Sequence, residues 1–355
     1  MRPGPSTSLL AGPVAVGVRI DIARTGRIIA TDIPATEVSL DVQTGRAVPG
    51  QVTYTAPADW IPATPYDPLN NYGQRTHVVA LAECAGTPHE IDLGWWIHTA
   101  WDETDDGVQV TAMDLLQVAE EDEFAWPSSP PVGATLRTEL HRLSHLPVIL
   151  DPGVTDVYLS RDSQWGTSRT EAVQDLCNSV GVGYSVQPDG YLHAWPYRDG
   201  GAPVATYTGT DLLVSAPRTS QERRPNRYVV VGSIGSGETE KRFTSTVTAT
   251  FPPLDPDSYG WVTERSEVSS SDLPDVETAA AQRISELAQR KLRKRLITQR
   301  SRSVEIVADP RLEAGDVITV ITGGGETITG RITAYSLPVG QADATMRVDI
   351  EELAW

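Results

Sequence analysis

Two histidines, His141 and His145, stand four apart in the stretch "HRLSH". On a helix that spacing puts two imidazoles on one face, where they could share a metal ion. A zinc hydrolase of this pattern also needs a glutamate directly after the first histidine as general base, and position 142 is Arg. No third ligand is apparent nearby, so the pair reads as two surface histidines on an amphipathic helix. The string "GSIGSG" at 232–237 follows a strand-like run, as a dinucleotide loop would. Its spacing departs from G-x-G-x-x-G. The β-branched stretch after it, "ETEKRFTSTVTATF", supplies no helix N-terminus to receive a phosphate. A hairpin tip is the simpler reading.

"DETDDG" (102–107) and "DPDSYG" (255–260) look like halves of calcium loops. Neither has carboxylates at its first, third and fifth positions. At the twelfth, where a bidentate Glu is needed, stand Met113 and Ser266. The run "QRKLRKRLITQRSR" carries seven basic residues within 290–302. Local contact with nucleic acid competes there with pairing to a neighbouring acidic surface and with plain solvation. Trp95, Trp96 and Trp101 could stack on sugars. On alternating strands, however, such residues more often fill a core or an interface. No G-x-S-x-G string and no Cys/His constellation occurs, and no stretch isolates a carboxylate pair of the glycosidase kind. The sequence therefore assigns no catalytic, cofactor-binding or metal-ligating residue, and no cofactor.

One loop stands apart. "TPYDPLNNYG" (64–73) joins two strand-like runs and is too rich in Pro, Asn and aromatics for a simple hairpin turn. Pro65 and Pro68 stiffen it, Asn70 and Asn71 tolerate a left-handed turn, and Gly73 releases the chain into the next strand. It reads as a rigid corner between two strands.

The elements around these residues are mostly strands. Val16, Val18, Ile20 and Ile22 alternate onto one face, as do Val38, Leu40 and Val42. Asp105-Asp106-Gly107 separates two alternating runs, a hairpin signal. After the breaker "WPSSPP" (126–131), residues 133–146 place Leu136, Leu140 and Leu143 on one helical face. A second helix follows, with Thr167 or Ser168 as N-cap, Ala172, Val173, Leu176 and Cys177 on its buried face, and Gly181 or Gly183 as its stop. A hairpin then turns at Pro188-Asp189-Gly190. The best helix spans about 275–296, capped by Asp275, with Val276, Ala280, Ile284 and Leu287 in its stripe. Gly323-Gly324-Gly325 is a later hairpin turn. The expected fold class is mainly β with α+β. The expected domains are residues 1–125 (β), 126–204 (a helix plus a small α+β insert) and 205–355 (β with one long helix).

The bulk numbers narrow the function classes. A chain of 355 residues is too long for one ordinary core. A net charge of −18 argues against a general nucleic-acid binder, which must displace counterions from phosphates. No run of eighteen apolar residues offers a spanning helix. The N-terminal stretch reads as an arm into the fold and not as a cleaved signal. Cys84 and Cys177 allow one disulfide but read better as two buried thiols.

Taken in order, five stretches resemble the minor tail proteins of long-tailed actinobacterial phages, and more closely the tail-tip hub family related to the myophage baseplate hub. They are "RAVPGQVTYTAPADWIPATPYDPLNNYGQRTHVVALA", "IDLGWWIHTAWDETDDGVQVTAMDLL", "SRTEAVQDLCNSVGVGYSVQPDGYLHAWP", "ERRPNRYVVVGS" and "DPRLEAGDVITVI". The resemblance covers roughly 35–355. It implies two tail-tube-like β-barrel or sandwich domains joined by the α+β insert. It implies a homotrimer that adapts a hexameric tube to a trimeric tip at the distal end of the virion tail. The implied partners are the distal tail protein, the tape measure protein and other tail-tip proteins, with genomic DNA only in transit and no stable membrane insertion. The long C-terminal extension that carries lytic or receptor-binding modules in larger relatives is missing, so no enzymatic role is expected. The rival readings are a distal tail protein ring, a cell-wall hydrolase and a receptor-binding module.

Overall fold

A computed structural model describes residues 1–159, 163–196, 201–209, 212–217, 225–235, 240–252, 254–268, 273 and 276–353. The chain is mainly β, with large antiparallel sheets, as expected. A short helix α1 (Thr7–Leu10) leads into β1 (Val14–Arg24), β2 (Arg27–Ala30), β3 (Thr36–Gln43), β4 (Gly50–Ala56), β5 (Gln74–Cys84), β6 (Thr87–Thr104) and β7 (Gly107–Asp114). The predicted alternation holds where the sheet has a core beneath it: Ile20, Ile22, Val38 and Leu40 are buried. Val16 is exposed, although Val14 and Val18 on either side of it pack against that core. The β6–β7 hairpin turns at Asp105-Asp106, with Thr104 opposite Gly107.

The middle of the chain is helical and small-stranded. It comprises α2 (Gln117–Glu121), α3 (Leu136–Ser144), β8 (Val148–Leu150), α4 (Arg169–Val180), β9 (Val182–Val186) and β10 (Leu192–Pro196). Thr135 caps α3 through a reciprocal bond pattern with Thr138. Ser168 caps α4, and Gly181 ends it in the left-handed conformation. Leu136, Leu140, Leu143, Val173, Leu176 and Cys177 meet in one core with Leu192 and Ala194 of β10. This unit docks on the first sheet through the β9–β10 turn. Gly94 makes that possible: its φ is +95°, and a Cβ there would stand 3.2 Å from the Pro188 Cα. Next to it, Trp95 packs against the same core and stacks on His77 at 4.4 Å.

The remaining elements are β11 (Ala205–Thr208), β12 (Leu213–Ser215), β13 (Arg227–Ile234), β14 (Lys241–Thr248), α5 (Pro256–Tyr259), β15 (Thr263–Val268), α6 (Glu277–Ile297), β16 (Thr298–Val307), β17 (Val317–Ile321), β18 (Thr327–Pro338) and β19 (Thr345–Leu353). Two destinations divide them. The strands β13, β14 and β15 form a separate three-stranded sheet under α6. The strands β11, β12 and β16–β19 instead join the first seven in one thirteen-stranded sheet. The join is β18 against β3, antiparallel, from Ala334↔Gln43 to Pro338↔Ser39. One hydrophobic core therefore draws Ile20, Leu40, Tyr54 and Ile91 from the start of the chain and Val304, Ile318, Ile332 and Val348 from its end.

The stripe of α6 holds at three of its four expected positions and gains Ala288 in place of Val276. Ala280, Ile284 and Ala288 are fully buried, Leu287 is partly buried, and Val276 is exposed because it precedes the helix. The expected cap Asp275 lies outside the described residues. The N-terminal arm is tied to the loop before β17: the Arg2 amide donates to the Arg311 carbonyl, and the Arg2 guanidinium donates to the carbonyls of Pro310 and Leu312. Both cysteines are free and buried. Among the described residues no helix is long and apolar enough to cross a membrane.

Candidate functional site

The loop between β4 and β5 is built from its own side chains. Asp67 accepts the amides of Ala63 and Thr64, each at 2.7 Å, and the Thr64 hydroxyl at 2.9 Å. These donors, the Thr64 amide foremost, hold the Asp67 carboxyl below the usual carboxylate range. Leu69 is the loop's apolar anchor and is fully buried in the main core. Gln74, also fully buried, donates to the carbonyls of Pro65 at 3.0 Å and Asp67 at 2.8 Å. Gly73 has φ +87° and releases the chain into β5 as expected. Asn70 and Asn71 do not take the left-handed turn expected of them. Asn70 is instead buried and works as a hydrogen-bond hub: its amide donates to the Thr64 carbonyl, and its side-chain oxygen accepts the Asn71 amide and the Trp101 indole N–H.

Beneath the loop lies a residue the sequence reading passed over. His98 occupies an inward position on β6 and is buried. Its Nδ1–H donates to the Asn70 carbonyl at 3.0 Å. The neutral ring then presents Nε2 as an acceptor, and the Thr76 hydroxyl donates to it while accepting from the Tyr54 hydroxyl at 2.9 Å. Protonation would place a second N–H against a hydroxyl that already donates. Burial pushes the imidazole down to about 4, against the pull of the Asn70 and Leu69 carbonyls. Its signal in the sequence was a polar residue in phase with Trp96 on a strand otherwise apolar inward.

The sign of the pH effect follows. The unfolded chain takes up a proton near the ordinary value of 6.5, and the folded chain does not until about 4. Stability contributed by neutral His98 is complete above the first value and falls away as pH drops towards the second. The loss is about 3 kcal/mol in total. His98→Gln should flatten that part of the profile, and urea midpoints at neutral and mildly acidic pH for both chains will measure the difference.

Above this buried chain the loop offers an exposed aromatic surface. Tyr66 and Tyr72 are 72% and 61% exposed. Arg24 links them, with its guanidinium 4.8 Å from the Tyr66 ring centre and its Nε donating to the Tyr72 carbonyl at 3.1 Å. Among the described residues neither phenol hydroxyl has a hydrogen-bond partner. The arrangement is a stiff ledge suited to contact, held from below by a network of fixed hydrogen bonds.

The other candidates do not gather into a site. His145 ends α3 in the left-handed conformation and bonds Asp122 at 2.8 Å, whereas His141 bonds the Leu146 carbonyl. Among the described residues no group of His, Cys, Asp and Glu could hold a metal ion. Gly232 lies inside β13, where a Cβ would strike Leu273 and Ile284 beneath α6, and residues 236–239 of the following turn lie outside the description. Asp255 caps α5, and "DETDDG" is the β6–β7 hairpin tip. Trp96 fills the core over Gly50, Trp95 joins the two units, and Trp101 bonds the loop. In the basic run, Lys291 pairs with Glu264 and Arg302 with Glu326; the side chains of 294–300 lie outside the described residues.

Neither a protein-family model nor a curated protein sequence matches the chain. Solved structures do. A tail protein from Neisseria meningitidis MC58 is 12% identical, with a TM-score of 0.63 over 95% of this chain and 97% of that one. The prophage tail protein gp18 from Listeria monocytogenes EGD-e is 12% identical, with a TM-score of 0.57 over 93% of each chain. The 43 kDa tail protein of prophage MuSo2 from Shewanella oneidensis is 13% identical, with a TM-score of 0.56 over 94% of this chain and 98% of that one. At such identities the likeness establishes a shared fold.

Proposed function

We propose that the chain is a structural protein of a phage tail, and more specifically a subunit of a homotrimeric hub at the distal end of the tail. In this reading it adapts a hexameric tube to a trimeric tip and forms part of the channel through which DNA leaves. Its neighbours are the distal tail protein, the tape measure protein and other tail-tip proteins of an actinobacterial phage with a long tail. The division of the chain near residues 125 and 204 belongs to the same reading. The supporting observation is the near-complete overlap, over both chain lengths, with folds described as tail proteins. No catalytic role is assigned.

The stiff ledge at 64–73 fits such a role, because subunits of a closed ring must present complementary, unlike faces. The net charge of −18 suits a wall along which DNA slides without sticking, since like charge repels phosphate. Native mass of the assembled particle tests the hub directly: three copies support it, and six would support a distal tail ring instead. Replacing Pro65 and Pro68 together by Gly should weaken ring assembly severalfold while the circular dichroism of the monomer stays unchanged. A ring that forms as readily as the parent would remove the loop from the interface.

A further inference from the structure

The three-stranded sheet β14–β13–β15 has α6 on one face. The register fixes what lies on the other. In the chain direction of β13, Arg227, Val229, Val231 and Ser233 alternate away from α6. Beside them stand Thr248, Thr246, Thr244 and Arg242 from β14, and Thr263, Arg265 and Glu267 from β15. The outer strands' members Arg242, Thr244, Thr246, Thr263, Arg265 and Glu267 are exposed. Arg227 is held by the Thr263 hydroxyl at 2.8 Å and stacks on the exposed Trp261 at 4.4 Å. Among the described residues no ion pair engages Arg242 or Arg265. The face is thus threonine-rich and cationic along its exposed outer strands, with Val231 buried at its centre and three arginines against one glutamate, in a chain of net charge −18.

That contrast constrains what can dock there. Copies of a strongly acidic chain repel one another, so they can meet closely only where the local sign is reversed. The same chain carries a complement. The β6–β7 hairpin tip stands level with the end of its β4 neighbour, whose last pairing is Ala56↔Val108. Its tip presents Asp102, Glu103, Asp105 and Asp106, all exposed and without an ion-pair partner among the described residues. An acidic hairpin tip and an arginine–threonine face are unlike surfaces, which is what a head-to-tail contact between copies requires.

We infer that the outward face of the β14–β13–β15 sheet receives the acidic β6–β7 hairpin tip of a second copy of this chain. The contact rests on the ring reading above and supplies it with a specific heterologous joint. It is salt-sensitive, because both partners are exposed before they meet.

The test uses the full chain at low and high salt, with assembly followed by sedimentation and folding checked by near-ultraviolet circular dichroism. Arg242→Glu with Arg265→Glu should weaken association at least about tenfold, and Asp105→Lys with Asp106→Lys should do the same. A chain carrying all four exchanges should recover to within about threefold of the parent. If the parent assembles and the reversals assemble equally well, this joint is wrong and the ring stands. If the parent stays monomeric at every concentration and salt, the ring reading fails and the joint with it. If Arg242→Glu with Arg265→Glu assembles normally but loses binding to a short DNA duplex that the parent retains, the face serves a polyanion and the inference is overturned.

Discussion

Arg311→Ala should destabilise the protein by about 3–5 kcal/mol, read as a fall in the urea midpoint. The Arg311 guanidinium and the Asp309 carboxylate are both almost fully buried, at 2.6 Å. Asp309 also accepts the Tyr207 hydroxyl at 2.7 Å. Truncating Arg311 leaves a buried carboxylate with two neutral donors, the Tyr207 hydroxyl and the backbone amide of residue 311, in place of a matching cation. The change reaches further, because Arg311 also donates to the Pro5 carbonyl and to the Thr7 hydroxyl at 3.1 Å. Gly4 lies on its aliphatic stem. Hydrogen exchange over residues 1–10 should therefore accelerate in the variant. Asp309→Asn combined with Arg311→Met should recover much of the loss, because the charge and its counter-charge leave together. Equal midpoints for the parent and Arg311→Ala would show that the pair contributes nothing net.

Asp114→Asn should move stability the other way. Asp114 ends β7 and is buried, and its carboxyl accepts the Leu116 amide at 2.9 Å. Burial pushes it up to about 7 despite that bond. The folded chain thus keeps a proton that the unfolded chain loses near the ordinary value of 3.8. Stability is complete below the lower value and drains away as pH rises to the upper one, a loss of about 4 kcal/mol. Asn retains the acceptor oxygen and needs no proton. Its advantage should be greatest in mildly alkaline buffer and vanish near pH ~4. Within the pH window of His98 the two residues act in opposite directions, so each needs its own variant to be seen. An Asn chain no more stable than the parent at pH ~8 would mean that the carboxylate has another stabilising partner.

Much of this fold was legible because its signals are local. The leucines at 136, 140 and 143, the Ser168 cap and the Gly181 stop each declare a helix within a few residues. Asp105-Asp106-Gly107 and Pro188-Asp189-Gly190 declare turns in the same way. The pairing of β18 with β3 was not legible, since strand partners remote in sequence leave no mark in either strand alone. In the α6 stripe Ala280, Ile284 and Leu287 were read correctly, whereas Val276 lies outside the helix and the buried Ala288 was missed, because a hydrophobicity pattern underweights a small alanine. At the candidate loop Gly73 was read correctly from type. Asn70 was not, because an Asn suits a left-handed turn and a buried hub equally until its partners are known. His98 was passed over for a similar reason, since its role depends on Tyr54 and Thr76, which are neighbours only across strands.

The junction of β18 with β3 also bears on how the chain is made. Thr44 meets Thr333 across it at a separation of 289 residues. At ordinary ribosomal speeds that distance takes on the order of tens of seconds to synthesise. Throughout that interval β3 has β4 on one side and a bare row of amides and carbonyls on the other. Such an edge is a template for strands of other chains. A nascent chain stalled before β18 should be held by chaperones or aggregate, while release of the last strands closes the edge from within.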